Sequence, residues 1–180
     1  MSESVSKDEL VQLLRLGDIE KFNTVRSYDD NNNLDLSEID LSNLKISYAN
    51  LSRADLSGSD ISKCELEEID FSSSDLSSVN FSHTTITDSN FIETILEGSL
   101  LNNASVISGD FAEVDFNGIN VCGTNFTGAD LSLSKNLMHC VYDADTIWPD
   151  EDYLPDDFEP QDDMSIAELE DSEEYLEEQF

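Results

Sequence analysis

The stretch LSRADLSGSDISKCELEEIDFSSSDL, residues 51–76, places an apolar residue at every fifth position: Leu51, Leu56, Ile61, Leu66, Phe71 and Leu76. A helix brings its face round every 3.6 residues and a strand every second residue, so neither aligns these six side chains. The spacing holds in both directions. Leu36, Leu41 and Ile46 lead into it, and Phe81, Ile86, Phe91, Leu96, Leu101, Val106, Phe111, Phe116, Val121, Phe126 and Leu131 follow. Twenty large apolar residues in unbroken register make an internal repeat the governing feature of the chain.

Two residues before each large one runs a second column, mostly small or β-branched, which includes Ala49, Ala54, Ser59, Cys64, Thr84 and Ala129. The residue between the columns is usually Asp or Asn, and the residue after the large one is usually Ser. Alternation over three residues is a very short β step, and the remaining two must turn the chain. Gly58, Gly98, Gly118, Gly123 and Gly128 all fall at the turn place, where a missing Cβ relaxes the backbone. The pattern predicts an all-β solenoid with short flat sides, regular corners and the large side chains on its axis.

The motif A(D/N)LXX, present as ANLSR, ADLSG and ADLSL, resembles the pentapeptide-repeat proteins, and the chain looks like a small acidic, cyanobacterial-like member with a helical lead-in. The resemblance implies a right-handed quadrilateral β-helix over residues 34–133, with four pentapeptides per coil and about five coils. On that assignment Phe71, Phe91 and Phe111 share one axial stack, and Phe116 and Phe126 make the last coil aromatic as well. At about 4.8 Å per coil the core is about 24 Å long.

The flanks read differently. Residues 1–33 form an N-terminal helical cap: Ser6 and Glu9 make a capping-box pattern, Leu10, Leu13 and Leu14 line one helical side, Gly17-Asp18 breaks the helix, and Ile19, Phe22 and Val25 continue it. After Leu131 the register fails, because Asn136 stands where a large apolar residue belongs. Residues 134–160 are a closing segment in which Val141, Tyr142, Ile147, Trp148 and Phe158 fold over the last coil. Its YDADTIWP resembles the closing stretch of family members, and Trp148 reads as a lid. Residues 161–180 are an acidic helix or a disordered tail.

Net charge is −33, from 41 acidic against 8 basic residues. That balance disfavours direct nucleic-acid or membrane contact and favours a protein with a basic surface, although acidity that serves only solubility explains it equally well. No apolar run approaches the ~20 residues of a membrane span and no leader pattern opens the chain, so a cytoplasmic location is expected. Cys64, Cys122 and Cys140 are too scattered for a disulfide framework or metal knuckle; no metal and no cofactor are expected. Phosphate-loop, zincin and nucleophile-elbow motifs are missing. The serines are repeat residues, His83 has no orienting acid, and nothing in a solvated row of acids raises the pKa of Asp110 or Glu113. The chain reads as no enzyme.

Because the inside is full, function belongs to the skin. Two candidates stand out. Asp55, Asp75 and Asp115 on one side, and Asp70, Asp110 and Asp130 on the preceding one, form acidic recognition columns. Ile92, Ile95, Leu100 and Ile107 occupy outward places otherwise held by Ser, Asp or Asn, and form an apolar contact patch. Three functions follow: a rigid protein-interaction module with a strongly acidic surface; a DNA mimic of gyrase or another DNA-binding protein, as the family resemblance implies; or a scaffold without a dedicated target. A homodimer is left open. The repeats carry no insertion for the projecting loops of some gyrase protectors.

Overall fold

The structure is a computed structural model that describes residues 5–27 and 34–160. The expectation of an acidic helix or tail at 161–180 lies outside the described residues, as do residues 1–4 and 28–33 of the cap.

Through residues 34–131 the parallel pairs join residues twenty apart. The pairs include Leu34 with Ala54, Lys45 with Glu65, Glu65 with Thr85, Thr85 with Ser105, and Gly109 with Ala129. Five residues per side and twenty per coil give four sides. The first side carries Leu36, Leu56, Leu76, Leu96 and Phe116 on the axis; the second begins at Leu41, the third at Ile46 and the fourth at Leu51. Axial N–H groups donate forward, as Leu36 does to the Asp55 carbonyl (2.7 Å), while the N–H before an axial residue donates backward, as Asp60 does to Ile39 (2.9 Å). All twenty axial side chains are buried, none more than 3% exposed. The fourth stack is the predicted ladder: Phe71 lies over Phe91 at 5.0 Å between ring centroids and Phe91 over Phe111 at 4.7 Å, with Phe126 set edge-on to Phe111 at 6.2 Å.

Corners explain the rest of the repeat. Two residues after the axial one the backbone is left-handed, at Arg53, Lys63, His83 and Glu93 as well as at glycines. The next N–H returns to the axial carbonyl, as Thr94 does to Phe91 (3.0 Å). These are type II turns. The third side differs. Strands Lys45–Ser47, Glu65–Glu67, Thr85–Thr87 and Ser105–Val106 pair in that order as a four-stranded sheet. Its first three strands stay extended past the axial residue. In the fifth coil that side reverts to a type II turn, with Ala129 N–H on the Phe126 carbonyl (2.9 Å) and Gly128 at φ +81°. Turn and open bend meet there, and a Cβ on Gly128 would lie 2.6 Å from the Ile107 carbonyl oxygen.

The inward small column also bonds from coil to coil. Ser59, Thr84, Thr94 and Thr124 donate their hydroxyls to Leu36, Ile61, Phe71 and Leu101 carbonyls (2.7–3.0 Å), and the Cys64 thiol to Leu41. The Ser74 and Ser99 hydroxyls are buried with no partner.

The ends are closed by different means. Helix α1 (Lys7–Leu16) begins with the Ser6–Glu9 capping box and ends in Gly17 at φ +71°, followed by α2 (Ile19–Ser27). Leu10, Val11, Leu13, Leu14 and Phe22 are buried over the first coil. Polar side chains satisfy its free backbone edge: Arg15 donates to the Asp40 carbonyl, Asn23 donates to Tyr48 and accepts from Asn50 N–H, and Arg26 donates to Ser52, while Lys7 pairs with Asp35 (2.8 Å).

At the other end the pairing does not stop at Leu131. Phe116, Val121, Phe126 and Leu131 N–H groups donate to Lys135, Val141, Ile147 and Tyr153 carbonyls. Residues 134–160 therefore build a sixth, stretched coil. Asn136 does interrupt the five-residue register, but as an inserted left-handed residue; buried Leu137 takes the inward place beside it, followed by buried Tyr142, half-buried Trp148 and Leu154. Trp148 stacks on Phe126 at 5.7 Å and meets Phe158 at 4.8 Å. Ile147, expected to fold over the core, is exposed and contributes through its backbone.

Candidate interaction surface

The residue before each axial one is placed by the corner it precedes. On the three type II sides its side-chain oxygen accepts the N–H two residues on. Asp55 takes Ser57, Asp75 takes Ser77, Asp115 takes Asn117, Asp70 takes Ser72, Asp110 takes Ala112 and Asp130 takes Ser132, all at 2.9–3.0 Å. Each carboxylate thus has one oxygen turned into its own corner as an Asx turn. The open corners of the third side need no such acceptor, and Lys45, Glu65, Thr85 and Ser105 stand there instead. Where the type II turn returns in the fifth coil, Asn125 returns with it, accepting Thr127 N–H (2.9 Å).

Stacked carboxylates repel, and amides interleave them. Asn90 lies between Asp70 and Asp110 and donates to Asp70 (3.4 Å); Asn80 donates to Asp60 (3.3 Å) and Asn136 to Asp115 (2.9 Å). Cations share this task only towards the ends, where Lys45 pairs with Glu65. No Lys or Arg stands between Lys63 and Lys135, and Lys135 is paired with Glu113. The skin from the third coil to the fifth is therefore negative on every side that carries charge.

Ile95, Leu100 and Ile107 are 52%, 41% and 51% exposed, whereas Ile92 is half-buried. By register they belong to four sides: Ile92 to the fourth, Ile95 to the first, Leu100 to the second and Ile107 to the third. They form a girdle rather than a single patch. Ile92 and Ile95 flank the Glu93–Thr94 corner, Ile95 and Leu100 flank the Glu97–Gly98 corner, and Ile107 is set apart at the open bend. Ile95 sits in the column between Asp75 and Asp115, paired with Asp75, and Leu100 between Asn80 and Asn120.

The Lys7 ammonium, with the Ser37 hydroxyl and N–H, holds Asp35 down to about 2. Burial pushes the Cys140 thiol up to about 12 and raises Cys64 and Cys122 as well. His83 is exposed at a left-handed corner, and the Asp110 and Glu113 carboxylates are engaged by Ala112 N–H and Lys135. Among the described residues no group of three or more His, Cys, Asp or Glu is placed to hold a metal ion, and no helix is long and apolar enough to cross a membrane. The sequence singled out the acidic columns and the four apolar exceptions, which it read as one patch, but not the cap donors Lys7, Arg15, Asn23 and Arg26, whose only signal was polarity on an amphipathic helix pair.

Fold and surface together define a β-solenoid whose interior is solid and whose exposed skin alone is open to partners. The family model described as pentapeptide repeats, in eight copies, matches residues 35–72, 64–103 and 110–135. The chain belongs to the pentapeptide repeat family. Solved structures similar to it include the pentapeptide repeat protein Rfr23 from the cyanobacterium Cyanothece 51142, at 20% identity over 71% of this chain and 99% of that one, with a TM-score of 0.41. HetL from Nostoc sp. strain PCC 7120, a pentapeptide repeat protein involved in heterocyst differentiation regulation, matches at 18% identity over 71% and 78%, with a TM-score of 0.30. QnrB1, a plasmid-mediated fluoroquinolone resistance protein, matches at 14% identity over 81% and 84%, with a TM-score of 0.35. A comparison with curated proteins finds no match.

Proposed function

We propose that the chain is a non-enzymatic, cytoplasmic protein-interaction rod that presents a strongly acidic skin to a basic protein surface. The observation that carries this reading is the run between Lys63 and Lys135 without a single Lys or Arg, wrapped around a core that leaves no interior site. A stiff column of charge raises encounter rates with an oppositely charged groove and excludes nucleic acid and anionic membrane. The test is binding of the full chain to a basic protein across a salt series. Screening shortens from about 30 Å at 0.01 M to about 10 Å at 0.1 M, so affinity should fall steeply. Salt-independent capture contradicts the reading.

Mimicry of DNA, on gyrase or another DNA-binding protein, is the narrower version. Acid rows on a rod favour it. Against it stand the coil spacing of about 4.8 Å, set beside a phosphate every 3.4 Å per strand, and the amides that thin the charge. Competition by duplex DNA for the same partner decides between the two: mimicry requires it, a protein-only site does not. A chain that captures nothing at any salt would be a scaffold without a dedicated target.

A further inference from the structure

We infer that the first side of the solenoid, centred on Ile95, is a docking surface for a basic amphipathic helix of a partner protein, laid parallel to the solenoid axis. The inference rests on the acidic-rod reading and adds a place and a partner chemistry to it.

The starting point is a rule broken without local gain. At type II corners the residue before the axial one is almost always Asp or Asn, and its oxygen caps the corner N–H. Ile95 and Leu100 precede type II corners too: Ser99 N–H returns to the Leu96 carbonyl and Ala104 N–H to Leu101 (3.0 and 2.8 Å). Neither side chain can accept a hydrogen bond, and neither is buried in exchange, at 52% and 41% exposed. A local choice that costs the fold and is not repaid inside it points to a role outside it.

The surroundings then choose the occupant. Along the first side the column reads Asp55, Asp75, Ile95, Asp115, with Glu93 and Glu97 at the two adjoining corners. DNA and anionic lipid carry the wrong sign. So does a second copy of this chain, and so do residues 161–180, which contain no Lys or Arg. A complementary partner brings an apolar residue to Ile95 and a cation to each flanking aspartate, through the carboxylate oxygen not engaged in the corner. Spacing favours a helix: neighbouring coils are about 4.8 Å apart, and three helical residues rise about 4.5 Å. Residues i, i+3 and i+7 of one helix face therefore meet Asp75, Ile95 and Asp115 in turn, and i+4 leans toward Leu100 around the corner.

The test uses the full chain and two synthetic helical peptides. Both carry Lys at i and i+7; one carries Leu at i+3 and i+4, the other Ser. The Leu peptide should bind at least tenfold tighter than the Ser peptide, and Ile95→Asn, which preserves charge and restores the repeat residue, should remove that difference. Thermal unfolding of Ile95→Asn should show a midpoint no lower than that of the parent, so a folding defect cannot mimic the loss. Asp75→Asn and Asp115→Asn should weaken both peptides. If both peptides bind equally with salt-sensitive affinity and Ile95→Asn changes nothing, the docking site is wrong and the acidic-rod reading stands. If neither peptide binds at low salt, both fall. A dimer in sedimentation that Ile95→Asn dissolves would assign the surface to a second copy and overturn the inference.

Discussion

The second and fourth coils have interchangeable interiors and unlike skins. Leu56, Ile61, Leu66 and Phe71 on one axis, and Leu96, Leu101, Val106 and Phe111 on the other, are all buried and fill the same four places. Outside, the second coil presents Asp55, Asp60, Glu65 and Asp70, while the fourth presents Ile95, Leu100, Ser105 and Asp110. Interior chemistry is set by geometry that every coil shares, so it repeats. Skin chemistry is set only where a corner needs an acceptor, so departures there are tolerated by the fold and free to serve recognition.

If the interiors are equivalent, damage to either should be equally severe. Phe71→Ala and Phe111→Ala should each cost about 3–5 kcal/mol in denaturant unfolding, and Phe91→Asp should abolish cooperative folding, because each coil buries its apolar side only against neighbours. A mild effect at Phe111 alone would make the fourth coil the looser one. Next in size is Gly128→Ala. The left-handed backbone and the Ile107 carbonyl at 2.6 Å from the added carbon place its cost at about 1–3 kcal/mol, whereas Gly118→Ala, with open space around it, should cost only the left-handed penalty of about 1 kcal/mol.

The skins should respond in opposite directions. Asp55→Ala removes a corner acceptor and should destabilise by about 1 kcal/mol, while Ile95→Asn supplies one and should stabilise by a similar amount. Equal responses would mean that the corner bond contributes nothing. A smaller contrast lies in the inward column: Ser99→Ala deletes a buried hydroxyl without a partner and should be neutral or slightly stabilising, whereas Thr84→Val loses the bond to Ile61 and should cost about 1 kcal/mol.

The smallest effect is at the cap. Asp35 is depressed in the folded state to about 2 from an ordinary 3.8. Its contribution is therefore fully present above about pH 4 and is lost as pH falls toward 2. As the pair is largely exposed, the loss is small; Asp35→Asn should flatten that part of an acid-unfolding curve, read by circular dichroism. An unchanged curve would mean that Lys7 does not tether α1 to the first coil.

How much of this was legible follows from the same contrast. Axial residues announce themselves because a fixed interval and a shared chemistry leave one solution, so the stacks through Phe71, Phe91 and Phe111 could be written from the sequence. The sixth coil could not. Its inward residues Leu137, Tyr142, Trp148 and Leu154 are spaced five or six apart, and inserted residues such as Asn136 hide a ladder that the backbone still maintains. The different corner of the third side was visible only as missing Asp and Asn at Lys45, Glu65, Thr85 and Ser105, which reads as noise until the open bends supply the reason. For the surface, sequence located Ile95 and Leu100 as exceptions, but the Asx acceptors they replace became meaningful only once each carboxylate was seen turned into its corner.

The most direct measurement is a crystal structure read for the fourth stack. Phe71, Phe91 and Phe111 should overlie one another at 4.7–5.0 Å between centroids, each twenty residues from the next. Rings that face solvent, or residues 34–131 paired with one another at any other offset, would contradict the solenoid and every surface position that follows from it.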